Sequence, residues 1–444
     1  MFENEVWIEE TFGNTDLGDK RLNDRLLTVA SKMSERPGSS IPQQMGSWHD
    51  TKACYSFLNN GKVKPKLIQD AHRKRVKSEA SGKTTLFIQD TSEADYSNLE
   101  ATEDLGFIGN HNNQGLMFHS CLAVVPDAKN PKVLGLAHQQ VWTRSHPSLN
   151  KNETRSERNK RKKESDIWLE NLKAIGRPPE ETTWVSIGDR GNDIFTFFVG
   201  TKELGWECLV RVSQDRCIEA NGEETSVMAY VRSLEEMGNK VVSLRKANET
   251  KSRDITCKVS YGKVELQPPT RLNGNVDGVT VSIVRCWNDE EEIEWILYSS
   301  ILVESMQDAI EKIEWYSNRW IIEEYHKCLK TGCRIESSQL ETAKGLKTLL
   351  AVLGIIAILM LQLRNVSRDN PDEPASKTVD ERALKIISKR FKMPLDISAR
   401  QFWHSVARLG GFLARKSDGE PGWQTLWTGW LRLLDMMWGH ECIV

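Results

Sequence analysis

The chain has 444 residues, of which 39% are hydrophobic and 27% charged, so it is a soluble globular protein too long for one ordinary core, and we expect two or three domains. Its 60 Lys and Arg residues against 62 Asp and Glu residues give a net charge of −2, which excludes a strongly basic, non-specific nucleic-acid coat. Nine scattered cysteines without zinc-ligand spacing, and an acidic N-terminal segment, predict a cytoplasmic protein without a targeting sequence.

The first 78 residues predict a small helical module. Residues 19–30 alternate apolar and basic positions at helical spacing, and residues 48–58 and 65–77 give two further helical patterns. The basic positions lie on helix faces, where they suit the phosphate backbone of a nucleic acid and plain solvation equally well. The pattern alone therefore leaves both interpretations open.

The next apolar segments follow the spacing of strands. Residues 84–90 predict a buried strand that ends in Asp90, and residues 117–125 and 133–142 predict two more strands. The very polar residues 151–166 come after them. Such a run is typical of a solvated loop, and contact with DNA is the alternative.

A second strand that ends in an acid lies further along the chain. Residues 183–189 are apolar up to Asp189, a helix is expected to begin after Gly191, and residues 207–213 predict the following strand. This alternation predicts a mixed sheet with flanking helices. Residues 214–300 then contain several short strand patterns separated by polar turns and predict a β-rich insertion.

The remainder of the chain predicts helices. Residues 304–330 predict one long helix that stops at Gly332. Residues 340–365 predict a second helix, whose apolar run is too short for a membrane span and fits a buried core helix, so we expect no membrane partner. Residues 370–377 contain two prolines and predict a linker, and the helical segment after it is rich in tryptophan.

Four polar residues of the long predicted helix fall on one stripe. At about 100° per residue, Tyr316, Arg319, Glu323 and Lys330 lie within roughly 60° of one another. One carboxylate with two cations and a hydroxyl can hold a metal ion beside a phosphate. The alternative is a solvated helix face with an ordinary Arg319–Glu323 pair four residues apart.

Three acids are candidates for a metal site. Asp90 and Asp189 each close a predicted buried strand, and acids at the carboxyl ends of sheet strands converge where such sheets bind ligands. Together with Glu323 they offer hard oxygen ligands that suit Mg²⁺ or Mn²⁺ better than zinc. The alternative for each aspartate is a structural role, in which Asp90 caps a turn and Asp189 caps the following helix.

Several segments resemble one known family. Residues 88–91, 188–194 and 316–330 resemble the three acid motifs of bacterial DDE transposases of the insertion-sequence-four family, and Tyr316 to Lys330 has the family's Y-R-E-K spacing of two, three and six intervening residues. Residues 17–21 resemble the motif that recognises transposon ends, and residues 407–412 resemble a dimerisation segment.

The resemblance implies an α/β architecture with a ribonuclease-H-like, mixed-sheet catalytic core. The core would comprise residues 79–369, with the β-rich insertion at about 214–300. It would be flanked by a helical domain that recognises transposon ends, residues 1–78, and by a helical dimerisation domain, residues 370–444.

The resemblance also implies a cut-and-paste reaction of nicking, hairpin formation, hairpin resolution and strand transfer. Asp90, Asp189 and Glu323 would be the catalytic residues and would bind two Mg²⁺ ions, for which Mn²⁺ can substitute. Trp295 would stack on a flipped base, although tryptophans on strands usually belong to a core. The implied DNA contacts are Tyr316, Arg319, Lys330, Trp295, Arg211, Lys20, Arg21 and Arg25.

The implied partners are double-stranded DNA, as terminal inverted repeats and as target, and a second copy of the chain in a synaptic complex. The implied location is the bacterial cytoplasm, in association with the nucleoid. Two rival hypotheses remain: a metal-dependent nuclease of the same fold without strand transfer, and a DNA-binding repressor that dimerises through its tail. The three acids argue against the repressor, because a protein that only binds DNA does not need them.

Overall fold

In the computed structural model the described residues are 4–109, 112–127, 130–145, 163–220, 222–244, 253–272, 276–366, 368, 370–415 and 418–441. Most of the polar stretch 151–166, expected to be a loop or a DNA contact, lies outside them.

The N-terminal part is helical, as expected. Asp19 caps the second helix by accepting a hydrogen bond from Arg21 N at 3.0 Å, and the buried side chains of Leu26, Val29 and Met33 follow at helical spacing. The pattern at residues 65–77 divides into two helices. The helices are α1 (Asn4–Phe12), α2 (Lys20–Glu35), α3 (Ile41–Met45), α4 (Trp48–Leu58), α5 (Pro65–Ile68) and α6 (Asp70–Glu79).

The cations of α6 are engaged by neighbouring groups of the protein. Arg73 and Lys74 both pair with Asp70, and Lys77 Nζ donates to the carbonyl of Ile175 at 2.5 Å. Lys74 nevertheless remains 74% exposed, so solvation and contact with a phosphate backbone both stay open for this face.

Twelve strands of the described residues form one mixed sheet. The hydrogen-bonded order is β2-β3-β1-β5-β6-β12-β11-β10-β7-β8, with β4 beside β3 and β9 beside β10. The strands are β1 (Thr84–Asp95), β2 (Gly106–Ile108), β3 (Asn113–Val125), β4 (Lys132–Trp142), β5 (Thr183–Gly188), β6 (Glu207–Arg211), β7 (Cys217–Ala220), β8 (Glu223–Ser226), β9 (Gly238–Leu244), β10 (Arg253–Leu266), β11 (Val279–Asn288) and β12 (Ile293–Ser299).

The central strands combine antiparallel and parallel pairing. β1 is antiparallel to β3 and parallel to β5, β5 is parallel to β6, and β3 is antiparallel to β4. The parallel crossovers contain α7 (Ile167–Ile175) and α8 (Phe195–Leu204). The predicted mixed sheet with flanking helices is confirmed. The strand that contains Asp90 is longer than predicted, because its outer half stays paired with β3 as far as Asp95 opposite Gly115.

The β-rich segment extends the same sheet. β12 returns to β6, where Leu297 lies opposite Arg211, and the other strands of the segment continue outward from β12. The short helix α9 (Val227–Ser233) packs on these outer strands. The predicted strands of this segment are confirmed, and Trp295 is thereby placed two strands from β5.

A buried ion pair fixes the point where the chain leaves the central sheet. The Asp193 carboxylate is fully buried and accepts hydrogen bonds from Arg216 Nη2 at 2.6 Å, Ser213 N at 2.8 Å and Gln214 N at 2.9 Å. We expect Asp193→Ala to lower the free energy of unfolding by about 3–5 kcal/mol, because Arg216 would keep a buried charge without its partner. Calorimetric or urea unfolding measures this loss.

An exposed ion pair serves as the control for this prediction. Glu381 and Lys385 pair at 2.6 Å, but their side chains are 79% and 58% exposed. Glu381→Gln should change stability by less than about 1 kcal/mol. Equal effects of the two substitutions would contradict the stabilising role of the Asp193 pair.

The prediction of one continuous helix over residues 304–330 is wrong. The chain forms α10 (Met306–Ser317) and α11 (Trp320–Lys327), and a wider turn of π-helix, Cys328–Gly332, follows. Around Asn318 the backbone tightens, because Asn318 N and Arg319 N donate to the carbonyls three residues earlier. The side chains of Ser317 and Asn318 also donate to carbonyls of α10, and such competition favours a helix end.

The apolar helix α12 (Ala343–Val366) runs through the core, as predicted. Ala343–Leu363 is long and apolar enough to cross a membrane, but 89% of its most apolar window is buried inside the protein. It packs against α4, α5 and α11 and against β4. The remaining helices are α13 (Glu381–Phe391), α14 (Ala399–Leu409) and α15 (Trp423–Glu441).

The C-terminal helices pack on both other parts of the chain. The rings of Trp403 and Trp430 lie 5.4 Å apart, and Trp427 is buried in the same cluster. α15 contacts α12, and Asp435 pairs with Arg36 at 2.8 Å. The tail is therefore helical and built around tryptophan, as predicted.

Candidate active site

Asp90 lies on β1, and Asp189 directly follows β5, the neighbouring parallel strand. Ile88 of β1 is in register with Ile187 of β5, and each aspartate is two residues further along its strand direction. Asp90 Oδ1 accepts a hydrogen bond from Thr91 N at 2.7 Å, and Asp189 Oδ1 accepts one from Gly191 N at 2.8 Å. Asp189 therefore also caps the turn that follows it, through one of its two carboxylate oxygens.

The pKa of Asp90 shows that the acids share one environment. Burial is the largest cause that raises this pKa, and the nearby charges of Asp189 and Glu323 raise it further, to about 6. The Thr91 N–H and the Arg319 guanidinium oppose the shift. The Asp90 carboxylate is therefore buried and close to both other acids.

Arg319 lies between two of the carboxylates. Its Nη2 is 2.6 Å from Glu323 Oε1, and its Nη1 is 3.9 Å from Asp90 Oδ2. The Arg319–Glu323 pair of the alternative interpretation is present, but the Arg319 side chain is only 13% exposed, so it does not lie on a solvated helix face. The ring of Trp320 flanks the guanidinium at 5.0 Å. A guanidinium held in this way can meet a phosphate at the same place.

Tyr316, Arg211 and Trp295 form an adjoining cluster. Burial raises the pKa of Tyr316, the neighbouring Arg319 and Arg211 guanidiniums oppose this shift, and Asp189 adds to it, so these four side chains lie close together. The Trp295 ring meets the Tyr316 ring edge-on, with centroids 5.5 Å apart. Trp295 is half-buried rather than enclosed.

The residue before Trp295 is held by three arginines. Arg211 Nη2 donates to the Glu294 carbonyl at 3.1 Å, while Arg285 and Arg232 bond its carboxylate at 2.7 Å and 3.0 Å. These contacts fix the backbone that carries Trp295 next to the acids.

Lys330 is not brought to the acids. Its Nζ lies 3.5 Å from Glu336 Oε1, which also accepts a hydrogen bond from Asp95 N at 3.1 Å. Asp95 is five residues beyond Asp90 on β1, or about 16 Å along the strand. The π-helical turn after Lys327 moves Lys330 off the stripe that uniform helical geometry predicted, toward the end of β1.

The three N-terminal candidates lie on α2, away from this site. Lys20 and Arg21 are exposed, and the Arg21 side chain is 91% exposed beside Asp19. Arg25 is half-buried and 3.3 Å from Asp50, which Lys32 also contacts. Lys20 and Arg21 are therefore accessible to a partner, whereas Arg25 is partly neutralised.

A buried polar network that was not predicted from the sequence lies behind Asp90. His119 bonds Thr91 Oγ1 through Nδ1 at 2.8 Å and Gln89 Oε1 through Nε2 at 3.0 Å. Gln89 Nε2 donates to Ser186 Oγ at 2.8 Å, and Asn171 donates to Gln89. Burial lowers the pKa of His119 to about 3, so the ring is neutral near pH 7. The available signal was the pair of polar residues that flank Asp90 in an apolar strand.

The donor set fits a divalent cation. All three acids offer hard oxygen ligands, and burial, with the charges of Asp189 and Glu323, raises the pKa of Asp90, a shift that a nearby cation would oppose. Across the described ranges, no three His, Cys, Asp or Glu side chains already stand together as a preformed metal cluster. Ion binding would therefore require Glu323 to exchange Arg319 for the cation.

Comparison with known families agrees with this arrangement. Residues 4–63 match the Transposase DNA-binding family, and residues 137–360, just over half of the chain, match the Transposase DDE domain family. The second match contains Asp189 and Glu323 and begins after Asp90. A DNA-binding module joined to a DDE domain defines a DNA transposase. This chain belongs to the DDE transposase family.

One solved structure illustrates how far the likeness extends. A cryo-EM structure of the piggyBac transposase synaptic complex with hairpin DNA aligns over 100% of this chain and 80% of that chain. The sequence identity is 9% and the TM-score is 0.37. A likeness of this size does not define the fold.

Proposed function

We propose that the protein is a cut-and-paste transposase of the insertion-sequence-four group, similar to the transposon-five transposase, with a ribonuclease-H-like core. The observation that carries this proposal is the position of Arg319 between Asp90 and Glu323, with Asp189 beside Asp90. Carboxylates beside a buried guanidinium can act on a phosphodiester, because the guanidinium can hold the phosphate while one of its ester bonds is replaced.

Two Mg²⁺ ions, or Mn²⁺ in their place, would neutralise the phosphate and assist the attacking and leaving oxygens when bound. Asp90, Asp189 and Glu323 would hold the ions. Arg319, released from Glu323, and the Tyr316 hydroxyl would grip the phosphate. Lys330 would meet the DNA backbone further along the strand, since its partner Glu336 also bonds the backbone of Asp95.

Each step exchanges one phosphodiester bond. A water oxygen first attacks phosphorus at the transposon end and a 3′-hydroxyl leaves. That 3′-hydroxyl attacks a phosphodiester of the opposite strand, which forms the hairpin and releases the flanking DNA with a 3′-hydroxyl. A second water attacks the hairpin phosphodiester and regenerates the 3′-hydroxyl of the element. This hydroxyl finally attacks a phosphodiester of the target DNA, from which a target 3′-hydroxyl leaves. Trp295, half-buried beside Tyr316, would stack on a base flipped out of the strained hairpin.

We propose domain boundaries at residues 1–78, 79–369 and 370–444. Lys20, Arg21 and Arg25 of the first domain would contact the terminal repeats, and two copies of the chain would join two ends through the last domain. Because the net charge is near neutral, the free protein would bind DNA through local basic patches. A bacterial transposase of this kind would act in the cytoplasm, in association with the nucleoid.

The decisive experiment is an excision and integration assay. A supercoiled donor plasmid would hold a marker between the native sequences that flank the gene, and purified protein would be added with Mg²⁺ or with EDTA. Mg²⁺-dependent excision with hairpin ends and integration into a second plasmid supports the proposal. Cleavage without integration favours the nuclease, and binding without cleavage favours the repressor.

Replacing Trp295 by Ala should separate nicking from hairpin formation. Base stacking on an aromatic ring contributes about 1–3 kcal/mol, so we expect hairpin yield to fall about 10- to 100-fold while the first nick stays within a few-fold of wild type. Denaturing gels resolve the two products. Trp295→Phe, which keeps an aromatic ring, should retain part of the hairpin yield. An equal loss of nicks and hairpins in Trp295→Ala would contradict a stacking role.

A further inference from the structure

A row of opposed side chains leads from Asp90 across the sheet. Asp90 on β1 is in register with Ser120 on β3, and Ser120 is in register with Gln139 on β4. Directly opposed residues of antiparallel strands project from the same face. Ser120 and Gln139 therefore continue, on the face beneath α11, the line that begins at the Asp90 carboxylate.

The side chain of Tyr325, on α11, contacts this row at Gln139. Its hydroxyl accepts a hydrogen bond from Gln139 Nε2 at 3.2 Å and donates to the carbonyl of Gly354 on α12 at 3.1 Å. Gln139 Nε2 also donates to Ser120 Oγ at 3.2 Å. Tyr325 and Ser120 are fully buried. An interior hydroxyl with both a donor and an acceptor partner is held in one orientation.

The same amide reaches the N-terminal part of the chain. Gln69, between α5 and α6, donates to Gln139 Oε1 at 3.1 Å and also approaches the Ala351 carbonyl at 3.4 Å. The Gln139 side chain thus bonds partners on three sides: β3, α11 and the helical module. A buried amide with this many partners has little freedom to shift.

Gly354 makes the contact possible. A Cβ added at this position would lie 3.1 Å from the Tyr325 hydroxyl and 3.0 Å from Gln139 Oε1, closer than such contacts normally are. Glycine in a helix costs about 1 kcal/mol relative to alanine, so its presence inside α12 needs a packing reason. Close approach of the Tyr325 hydroxyl supplies that reason.

We propose that Tyr325 is a positioning residue for Glu323, which sets how closely the Glu323 carboxylate approaches Asp90 and hence how tightly the site binds a divalent cation. This inference rests on the proposed function. The two residues are two positions apart on α11, so anchoring Tyr325 to the row fixes the rotation of the helix. A rotation of ~10° would move a carboxylate that lies ~6 Å from the helix axis by about 1 Å, enough to impair a geometry-sensitive site.

The test is Tyr325→Phe, which removes only the hydroxyl, in the full-length protein. Mg²⁺ and, separately, Mn²⁺ are titrated without DNA, and binding is followed by calorimetry and by the rise in unfolding temperature. We expect the dissociation constant for the ion to increase at least fivefold. The Mg²⁺ concentration for half-maximal nicking should rise by a similar factor, with end binding in EDTA unchanged.

Tyr96→Phe is the matched control. Tyr96 is also buried, and its hydroxyl donates to the Ile335 carbonyl at 3.0 Å, so its loss costs comparable stability without touching the row. Its ion affinity should equal that of wild type. Gly354→Ala, which pushes on the Tyr325 hydroxyl, should weaken ion binding in the same direction as Tyr325→Phe.

The outcomes separate this inference from the proposed function. If wild type binds ions and cleaves, but Tyr325→Phe loses stability like Tyr96→Phe and keeps wild-type ion affinity, Tyr325 is only structural and the inference is overturned. If wild-type protein binds no divalent cation and cleaves no DNA, the proposed function fails and the inference fails with it.

Discussion

Glu323→Gln should lower DNA cleavage at least a thousandfold and leave binding to the transposon ends within about twofold of wild type. Gln keeps the shape of the side chain but removes the charge that faces Asp90 and pairs with Arg319. A neutral amide is a poor ligand for Mg²⁺, and loss of a group that acts in the transition state lowers cleavage rather than binding. Nicking on labelled end DNA measures the first effect, and gel shift in EDTA measures the second.

The matched control is Glu324→Gln, one position along α11. The charge change is identical, but the residue points about 100° away around the helix. We expect nicking within a few-fold of wild type. If Glu323→Gln cleaves nearly as well as wild type, the assignment of the three acids is wrong. If both variants lose cleavage equally, the effect comes from the net charge of α11 rather than from the site.

The placement of the acids was predictable because it depends on strand order. An apolar strand followed by an acid, repeated at Asp90 and Asp189, puts two carboxylates together once the strands are parallel neighbours. That Asp90 lies inside a longer strand was not predictable, because the outer half of β1 is polar on one face and is held by pairing to β3. Periodicity reports burial, and this part of the strand is only partly buried.

The details around the acids depended on tertiary contacts. The break between α10 and α11 comes from local competition by Ser317 and Asn318, and the shift of Lys330 comes from a π-helical turn. A prediction from uniform helical geometry includes neither the break nor the shift. The polar groups that support the site, such as Gln139 and Tyr325, look like ordinary strand and helix residues until the register brings them together. The sequence pattern was enough to locate the carboxylates, but the residues that support them could be identified only from the packing of the folded chain.

Asp90→Asn should make the metal-free protein more stable at neutral pH while it abolishes cleavage. The folded protein raises the pKa of Asp90 from 3.8 to about 6, because burial and the charges of Asp189 and Glu323 disfavour the ionised form. A shift of this size corresponds to roughly 3 kcal/mol of destabilisation when the group is fully ionised. Asn can still accept the Thr91 N–H bond but loses the attraction of Arg319, so we expect a net gain of about 1–3 kcal/mol.

The sign of this effect predicts its pH dependence. Between pH 4 and pH 6 the folded wild-type protein binds a proton on Asp90 that the unfolded chain has released. Its stability therefore falls, relative to Asp90→Asn, as pH rises through this window, and the difference is constant above it. Calorimetric unfolding of both proteins in EDTA at pH 4.5 and 7.5 measures the change. Asp193→Asn is a control with the opposite sign. It removes a carboxylate that is paired with Arg216, so we expect the folded protein to become less stable.

Divalent cation should reverse the order of stability. Mg²⁺ binds the carboxylates of the folded wild-type protein, so its unfolding temperature should rise with Mg²⁺ concentration, while Asp90→Asn should respond far less. If Asp90→Asn is less stable than wild type in EDTA at pH 7.5, the neighbouring groups of the protein stabilise the ionised Asp90 carboxylate. In that case the carboxylate would be a structural partner of Arg319, and it would carry no unfavourable burial for a divalent cation to relieve.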